Sequence, residues 1–199
     1  MLPILLVVFV ILIAFQSFMS ISTSKIEKQQ YRVIKKEAGF EVRYYPPATL
    51  ATIKSSAKSY RELSSAGFRK IAGYIFGNNE SSTKIAMTSP VHMDINKNES
   101  SMSFVMPSKY SSKNLPRPND VNVEIHESLE EYVAAIEFGG FANDATIKKY
   151  TEQLEKSLEL KGIKPIGNFR YLGYNPPYQL IARKNEIIVA IDWQENAVK

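Results

Sequence analysis

The stretch KIAMTSPVHM, Lys84–Met93, decides the fold. Ile85, Met87, Ser89, Val91, Met93 and Ile95 fall on one side of an extended chain, and Lys84, Ala86, Thr88, His92 and Asp94 on the other. An apolar row alternating with a polar row is the signature of a half-buried strand, predicted here over Lys84–Ile95. Pro90 cannot donate a ladder hydrogen bond, which predicts an edge or a bulge at that point. On this alternation His92 is expected to face solvent.

Working outward, FVMPSKY at Phe104–Tyr110 follows as the partner, with a strand predicted over Met102–Pro107 and the polar loop Asn96–Ser101 as the hairpin turn. Before it, Tyr60, Leu63, Gly67, Ile71 and Ile75 recur at spacings of three and four. They predict a helix over Ser59–Phe76 that ends at Gly77-Asn78-Asn79. Gly67 and Gly73 inside it each cost about 1 kcal/mol of helix propensity. Close packing on a sheet explains them, as does room for a flat ligand. Strands are expected at Tyr31–Val33, Phe40–Tyr45 and Leu50–Ile53, with Pro46-Pro47 interrupting.

The second half repeats this order. Strands are predicted over Val121–Glu127 and Glu131–Phe138, a helix over Asp144–Lys161, then strands over Phe169–Tyr174 and Gln179–Asp192. Ile147, Tyr150, Leu154 and Leu158 form the helix stripe, Asn143 or Asp144 caps its start and Gly162 its end. Lys148–Glu152 and Glu152–Lys156 are charge pairs on its solvated face. His126 shares a polar face with Asn122 and Glu124. The fold class is therefore α+β: a twisted antiparallel β-barrel or sheet built from two similar strand–helix–strand–strand halves, with two flanking helices.

The chain has 199 residues, enough for one domain plus a tail, with no cysteine, two histidines and a net charge of +5. Disulfides, thiolate metal sites and cysteine nucleophiles are excluded. Catalytic triads and zinc centres have little to build on. Ser89 has no partner nearby in sequence, Gly139-Gly140 lacks the pattern of a phosphate loop, and Glu41 with Arg43, same-face neighbours on a strand, reads as a surface ion pair. No basic run interleaves with aromatics as a nucleic-acid groove requires. No enzyme activity is expected from these residues.

Residues 1–22 form a hydrophobic segment: LPILLVVFVILIAF at Leu2–Phe15 is uninterrupted, Gln16 and Ser17 break it, and Phe18, Met19 and Ile21 extend it; residues 23–30 read as a linker, and residues 31–194 as the folded domain. The first segment is expected to be an uncleaved membrane anchor, with a cleaved signal peptide as the alternative. Lys25, Lys28, Arg32, Lys35 and Lys36 behind it favour a cytoplasmic C-terminal side.

Seven separated blocks, in order, resemble the SOUL haem-binding family. They are GFEVRYY (Gly39–Tyr45), YIFGNN (Tyr74–Asn79), KIAMTSPV (Lys84–Val91), LPRPND (Leu115–Asp120), FGGFA (Phe138–Ala142), GYNPP (Gly173–Pro177) and RKNEI (Arg183–Ile187). The resemblance covers nearly all of Tyr31–Asp192. It implies non-covalent binding of haem or another tetrapyrrole in a hydrophobic surface cleft. By that resemblance Phe68 and Ile71 line the cleft, with Lys70, Arg183 and Lys184 as candidate cations for the porphyrin carboxylates. Some relatives carry a histidine after the Glu-x-Arg of the opening strand; here that position is Tyr44, a weaker candidate for the iron. Met87, Met93, Met102 and Met106 read as core residues. The expectation is haem held by burial and rim charge, without a strong axial ligand. The alternative is the same fold holding another amphipathic small molecule or a protein partner.

Overall fold

The computed structural model describes residues 2–194, leaving Met1 of the apolar segment and residues 195–199 outside the description. Helix α1 (Leu2–Ser24) leads into a short strand β1 (Glu27–Lys28). There follow β2 (Arg32–Glu37), β3 (Phe40–Tyr45), β4 (Thr49–Ser55) and helix α2 (Tyr60–Ile75). Next come β5 (Thr88–Ser89), β6 (Val91–Asp94), β7 (Ser100–Val105), β8 (Glu124–Glu127) and β9 (Glu131–Phe138). The chain closes with α3 (Asp144–Leu160), β10 (Pro165–Gly173) and β11 (Asn185–Ile191).

Nine strands make one open antiparallel sheet in the order β2-β3-β9-β11-β10-β6-β7-β4-β8. Its logic is the predicted duplication. β4, α2, β6 and β7 form one half, and β9, α3, β10 and β11 the other. In each half the last strand lies between the other two, and the halves join where β10 pairs with β6, Tyr171 opposite Met93. Helix α2 packs on β4 and β7, and α3 on β9, β10 and β11, both on one face.

Local chemistry sets the helix ends. The Ser59 side chain accepts from Glu62 N at 3.2 Å, and Asn143 with Thr146 forms a reciprocal capping box. Gly162 (φ 66°) takes the left-handed conformation that ends α3. The stripes face inward: Leu63, Ile71, Leu154 and Leu158 are fully buried in the main core, with Val42, Ala134, Ile187 and Val189 of the sheet. Gly67 is a close-packing glycine. A Cβ there would stand 3.1 Å from Ile53 Cδ1 and 3.3 Å from Met102 Cε.

Several expectations are corrected. Residues 84–87 are irregular, and the predicted long strand survives only as β5 and β6 on either side of Pro90. The last strand begins at Asn185 rather than Gln179, because Arg183 folds the preceding segment into a loop. The stretch read as a linker contains β1, which pairs in parallel with β5, Glu27 opposite Thr88. Its neighbour Gln29 covers His92, which is buried rather than solvent-facing. His126 is exposed, as expected, and Thr52 Oγ1 lies 2.9 Å from its Nε2.

The N-terminal segment forms one 23-residue helix, longer than its uninterrupted apolar run. Among the described residues, no helix is long and apolar enough to cross a membrane.

Candidate ligand groove

On the helix side, the seam between the halves is open beside α3. Strand β10 changes register between Ile166 and Arg170, with Gly167 at φ 72°. That irregularity bulges residues 167–169 out of the ladder, while Pro165 and Ile166 stay paired with β11, and beside it lies a groove of about 280 Å³. Met93, Ile95, Ile147, Phe169, Tyr171 and Ile187 supply its apolar surface, and Thr151 and Asn168 its polar edge. Tyr171 is fixed from behind. Its hydroxyl donates to Asn185 Oδ1 at 2.7 Å, and burial pushes its phenol far above the usual range.

The six residues singled out from the sequence do not converge on this groove. Ile71 is fully buried in the core, and Phe68 packs against Phe104 with ring centroids 5.3 Å apart. Lys70 is exposed on α2, near enough to Asp120 to help hold that carboxyl below its ordinary range, behind the hydrogen bonds from Asn122. Tyr44 lies on β3, five strands from β7 in the sheet order, a separation of about 24 Å at ordinary strand spacing. Its hydroxyl donates to Glu130 Oε2 at 2.6 Å, and this bond raises the phenol pKa and disfavours the tyrosinate an iron would need.

The two basic candidates are already engaged. Arg183 donates from Nη1 to the carbonyls of Pro176 (2.7 Å) and Gln179 (2.6 Å) and lies over the Phe141 ring at 4.5 Å. Lys184 turns to the opposite face, with Nζ 3.0 Å from both Glu137 Oε2 and Glu186 Oε1.

That opposite face holds the largest buried charge network. Arg43 Nη1 donates to Glu186 Oε1 at 2.9 Å, with the two side chains 3% and 0% exposed. Arg43 Nε donates to Glu41, and Tyr31 lies under the guanidinium at 4.3 Å. Tyr174 donates to Glu186 Oε2 at 2.7 Å; burial and then that carboxylate hold its phenol protonated. The sequence reading of Glu41 with Arg43 as a surface pair is corrected: the two do pair, but Arg43 is buried, because it is drawn to Glu186, which carries no local signal, being 143 residues away. His92 also lies on this face, across the strand from Met93. Burial, then the nearby Arg170, pulls its pKa down to about 3, so it is neutral.

The groove residues suit a flat apolar ring better than a tightly ligated iron. Met93 supplies the one thioether of the lining, and no group of three or more His, Cys, Asp or Glu among the described residues is placed to hold a metal ion. No lysine or arginine lines it, so the expected basic rim is not assembled here.

The chain belongs to the SOUL heme-binding protein family, whose profile matches residues 26–190. It is 29% identical over 157 residues to mouse "Heme-binding protein 2", covering 74% of this chain and 76% of that protein. It is 28% identical over 161 residues to mouse "Heme-binding protein 1", covering 77% and 84%. Among solved structures, the C-terminal domain of EcmrR superposes with a TM-score of 0.59 at 10% identity, covering 82% of this chain and 99% of that one. A hydrolase from Listeria innocua gives 0.53 at 7%, covering 79% and 94%. At these identities the likeness is one of fold.

Proposed function

We propose that the protein binds haem or a related tetrapyrrole, non-covalently, in the groove between α3 and the β6–β10 seam. The observation that carries this reading is the apolar lining itself: six apolar side chains from four elements or their flanks converge along the seam where the duplicated halves meet. At about 280 Å³ the groove is at the lower end of small-molecule sites. A macrocycle would enter by one edge, contact Ile147, Phe169 and Tyr171, and leave its carboxylates near Thr151, Asn168 and solvent. Affinity then comes from apolar burial, with Met93 as the sole soft donor in the lining. Bound haem would supply redox-active iron; the chain's part is to bind and shield the ring. The missing rim cation supports a second reading, a neutral amphipathic ligand in the same groove.

We also infer that α1 attaches the domain to a membrane. Ile4, Val7, Phe9, Val10, Ile11, Ile13 and Phe15 expose 49–67% of their surface, and no charged residue precedes Lys25.

Titrating hemin and iron-free protoporphyrin IX into the full-length protein, followed at the Soret band, tests the ligand reading. The two porphyrins are expected to bind within about threefold of each other, since iron adds little. Filling the groove by Thr151→Trp is expected to weaken both at least tenfold, about 1.4 kcal/mol. The absence of any Soret shift up to tens of micromolar, or unchanged affinity in Thr151→Trp, would overturn the reading.

A further inference from the structure

The loop between β10 and β11 is built around an apolar tip. Tyr178, Leu180 and Ile181 expose 55%, 54% and 54% of their surface, and nearby Phe141, held under Arg183, exposes 52%. Surface loops are ordinarily mobile, and exposed apolar side chains clustered on one mark a contact surface. This one is braced. Arg183 gathers the carbonyls of Pro176 and Gln179, Asn175 Oδ1 accepts from Lys184 N at 2.6 Å, and Gln179 Nε2 donates to Ile181 O at 3.0 Å. Its own polar groups are turned inward, and its apolar side chains outward.

The second observation is where α1 meets this loop. Gln16 is the first polar residue after the apolar run Leu2–Phe15, and it is buried, 7% exposed. Its Nε2 donates to Tyr178 O at 3.2 Å, and its Oε1 accepts from Leu180 N at 2.9 Å. Both ends of one amide are thus matched to the loop backbone, with the Tyr178, Leu180 and Ile181 side chains left outside. The braced loop sits at the level where the apolar run of α1 ends.

We propose that the loop 176–182 is a second membrane-contacting element, inserting Tyr178, Leu180 and Ile181 into the bilayer interface beside α1. This rests on the reading of α1 as the membrane attachment. With residues 2–15 in the bilayer, about 21 Å of helix at 1.5 Å per residue, Gln16 and the loop lie at its boundary, and the exposed Phe18 and Ile21 fall in the interface just beyond it. A tyrosine with two aliphatic neighbours suits that depth. The occupant is a lipid surface recognised by apolar insertion, because Arg183 is turned into the loop and Lys184 is paired with carboxylates. Contact with electrically neutral phosphatidylcholine is therefore sufficient and survives high salt. The same geometry sets the domain's orientation. The loop leaves the sheet at Gly173, while the β6–β7 hairpin turn, beyond the Asp94–Arg170 pairing, lies at the other end of the strands and points away from the lipid.

The chain has no cysteine, so single introduced cysteines report cleanly. Full-length protein carrying Leu180→Cys or Ile181→Cys, labelled with an environment-sensitive nitrobenzoxadiazole dye, would be reconstituted with phosphatidylcholine vesicles. Asn98→Cys at the far hairpin is the control, and vesicle flotation reads attachment independently. Flotation with blue-shifted emission at 180 and 181, quenched by doxyl-labelled lipid and unchanged in 1 M salt, about ten times the ionic strength at which the Debye length is 10 Å, is the expected result. Asn98→Cys should remain aqueous. Flotation with all three probes aqueous would overturn the loop proposal alone. Failure to float would overturn the α1 attachment, and the loop proposal with it.

Discussion

Replacing Arg43 by methionine would leave the Glu186 carboxylate, fully buried, without its guanidinium. Removing one partner of a buried ion pair costs about 3–5 kcal/mol. Glu186 keeps the Tyr174 hydroxyl at 2.7 Å and Lys184 Nζ at 3.0 Å, so Arg43→Met should fall near 3 kcal/mol, the low end of that range. Glu186→Leu strands more. Arg43 retains the partly exposed Glu41, the Tyr31 ring and the neighbouring Tyr45, none of them a buried carboxylate, and Tyr174 loses its acceptor, so about 4–5 kcal/mol is expected. The double variant removes both charges and leaves chiefly the orphaned hydroxyl, about 2–3 kcal/mol. The singles sum to about 7–8, giving a coupling of about 5 kcal/mol. Urea denaturation in mild detergent, followed by far-UV circular dichroism and by the fluorescence of the single tryptophan Trp193, measures all four corners of the cycle. Additivity within about 0.5 kcal/mol would refute the claim that these two groups hold the helix-free face together.

Two further outcomes follow from particular side chains. His92 is neutral in the fold, with its pKa lowered from 6.5 to about 3, whereas the unfolded chain protonates it below 6.5. Its contribution is therefore complete above pH 6.5 and is lost as pH falls toward 3, at about 1.4 kcal/mol per unit. Urea midpoints between pH 6.5 and 5 should fall in the wild type and stay nearly level in His92→Gln; equal slopes would contradict this. At Gly67, alanine gains about 1 kcal/mol of helix propensity and meets Ile53 and Met102 within 3.3 Å, so thermal stability should change little. Gly67→Val should lower it by about 1–3 kcal/mol through overpacking, and an unchanged melting curve would argue against close packing.

The elements that were legible in the sequence are those with local causes. The apolar stripe ending at Gly77 placed α2, and Asn143 with Gly162 placed α3, each within a residue, and the repeated element order gave the α+β sheet of two halves. The strand expected over Glu131–Phe138 returned as β9 with its bounds intact. What the sequence hid depends on partners remote along the chain. His92 looked exposed because alternation cannot register β1 and Gln29 arriving 63 residues away to cover it. Residues 179–184 looked like strand because their apolar pattern is real, but it points outward, bent by Arg183. The candidate site was least legible for the same reason. Ile71 and Phe68 carry the periodicity of core residues, and they pack as core. The groove instead gathers Met93, Ile147 and Phe169, which only the pairing of β10 with β6 and the packing of α3 bring together.

The open sheet leaves two rims, and their chemistry bears on crowding. Strand β2 presents exposed Arg32, Lys35 and Lys36, and β8 presents exposed Glu124 and Glu127. Two copies offering the same rim would bring like charges together. The irregular register of β2 near Val33 and the four-residue length of β8 leave little ladder for a neighbour to extend. Copies gathered on a two-dimensional surface meet far more often than copies in bulk water. Charge therefore disfavours pairing of like rims, while the bulge in β2 and the shortness of β8 are what limit pairing of one copy's β2 with another's β8.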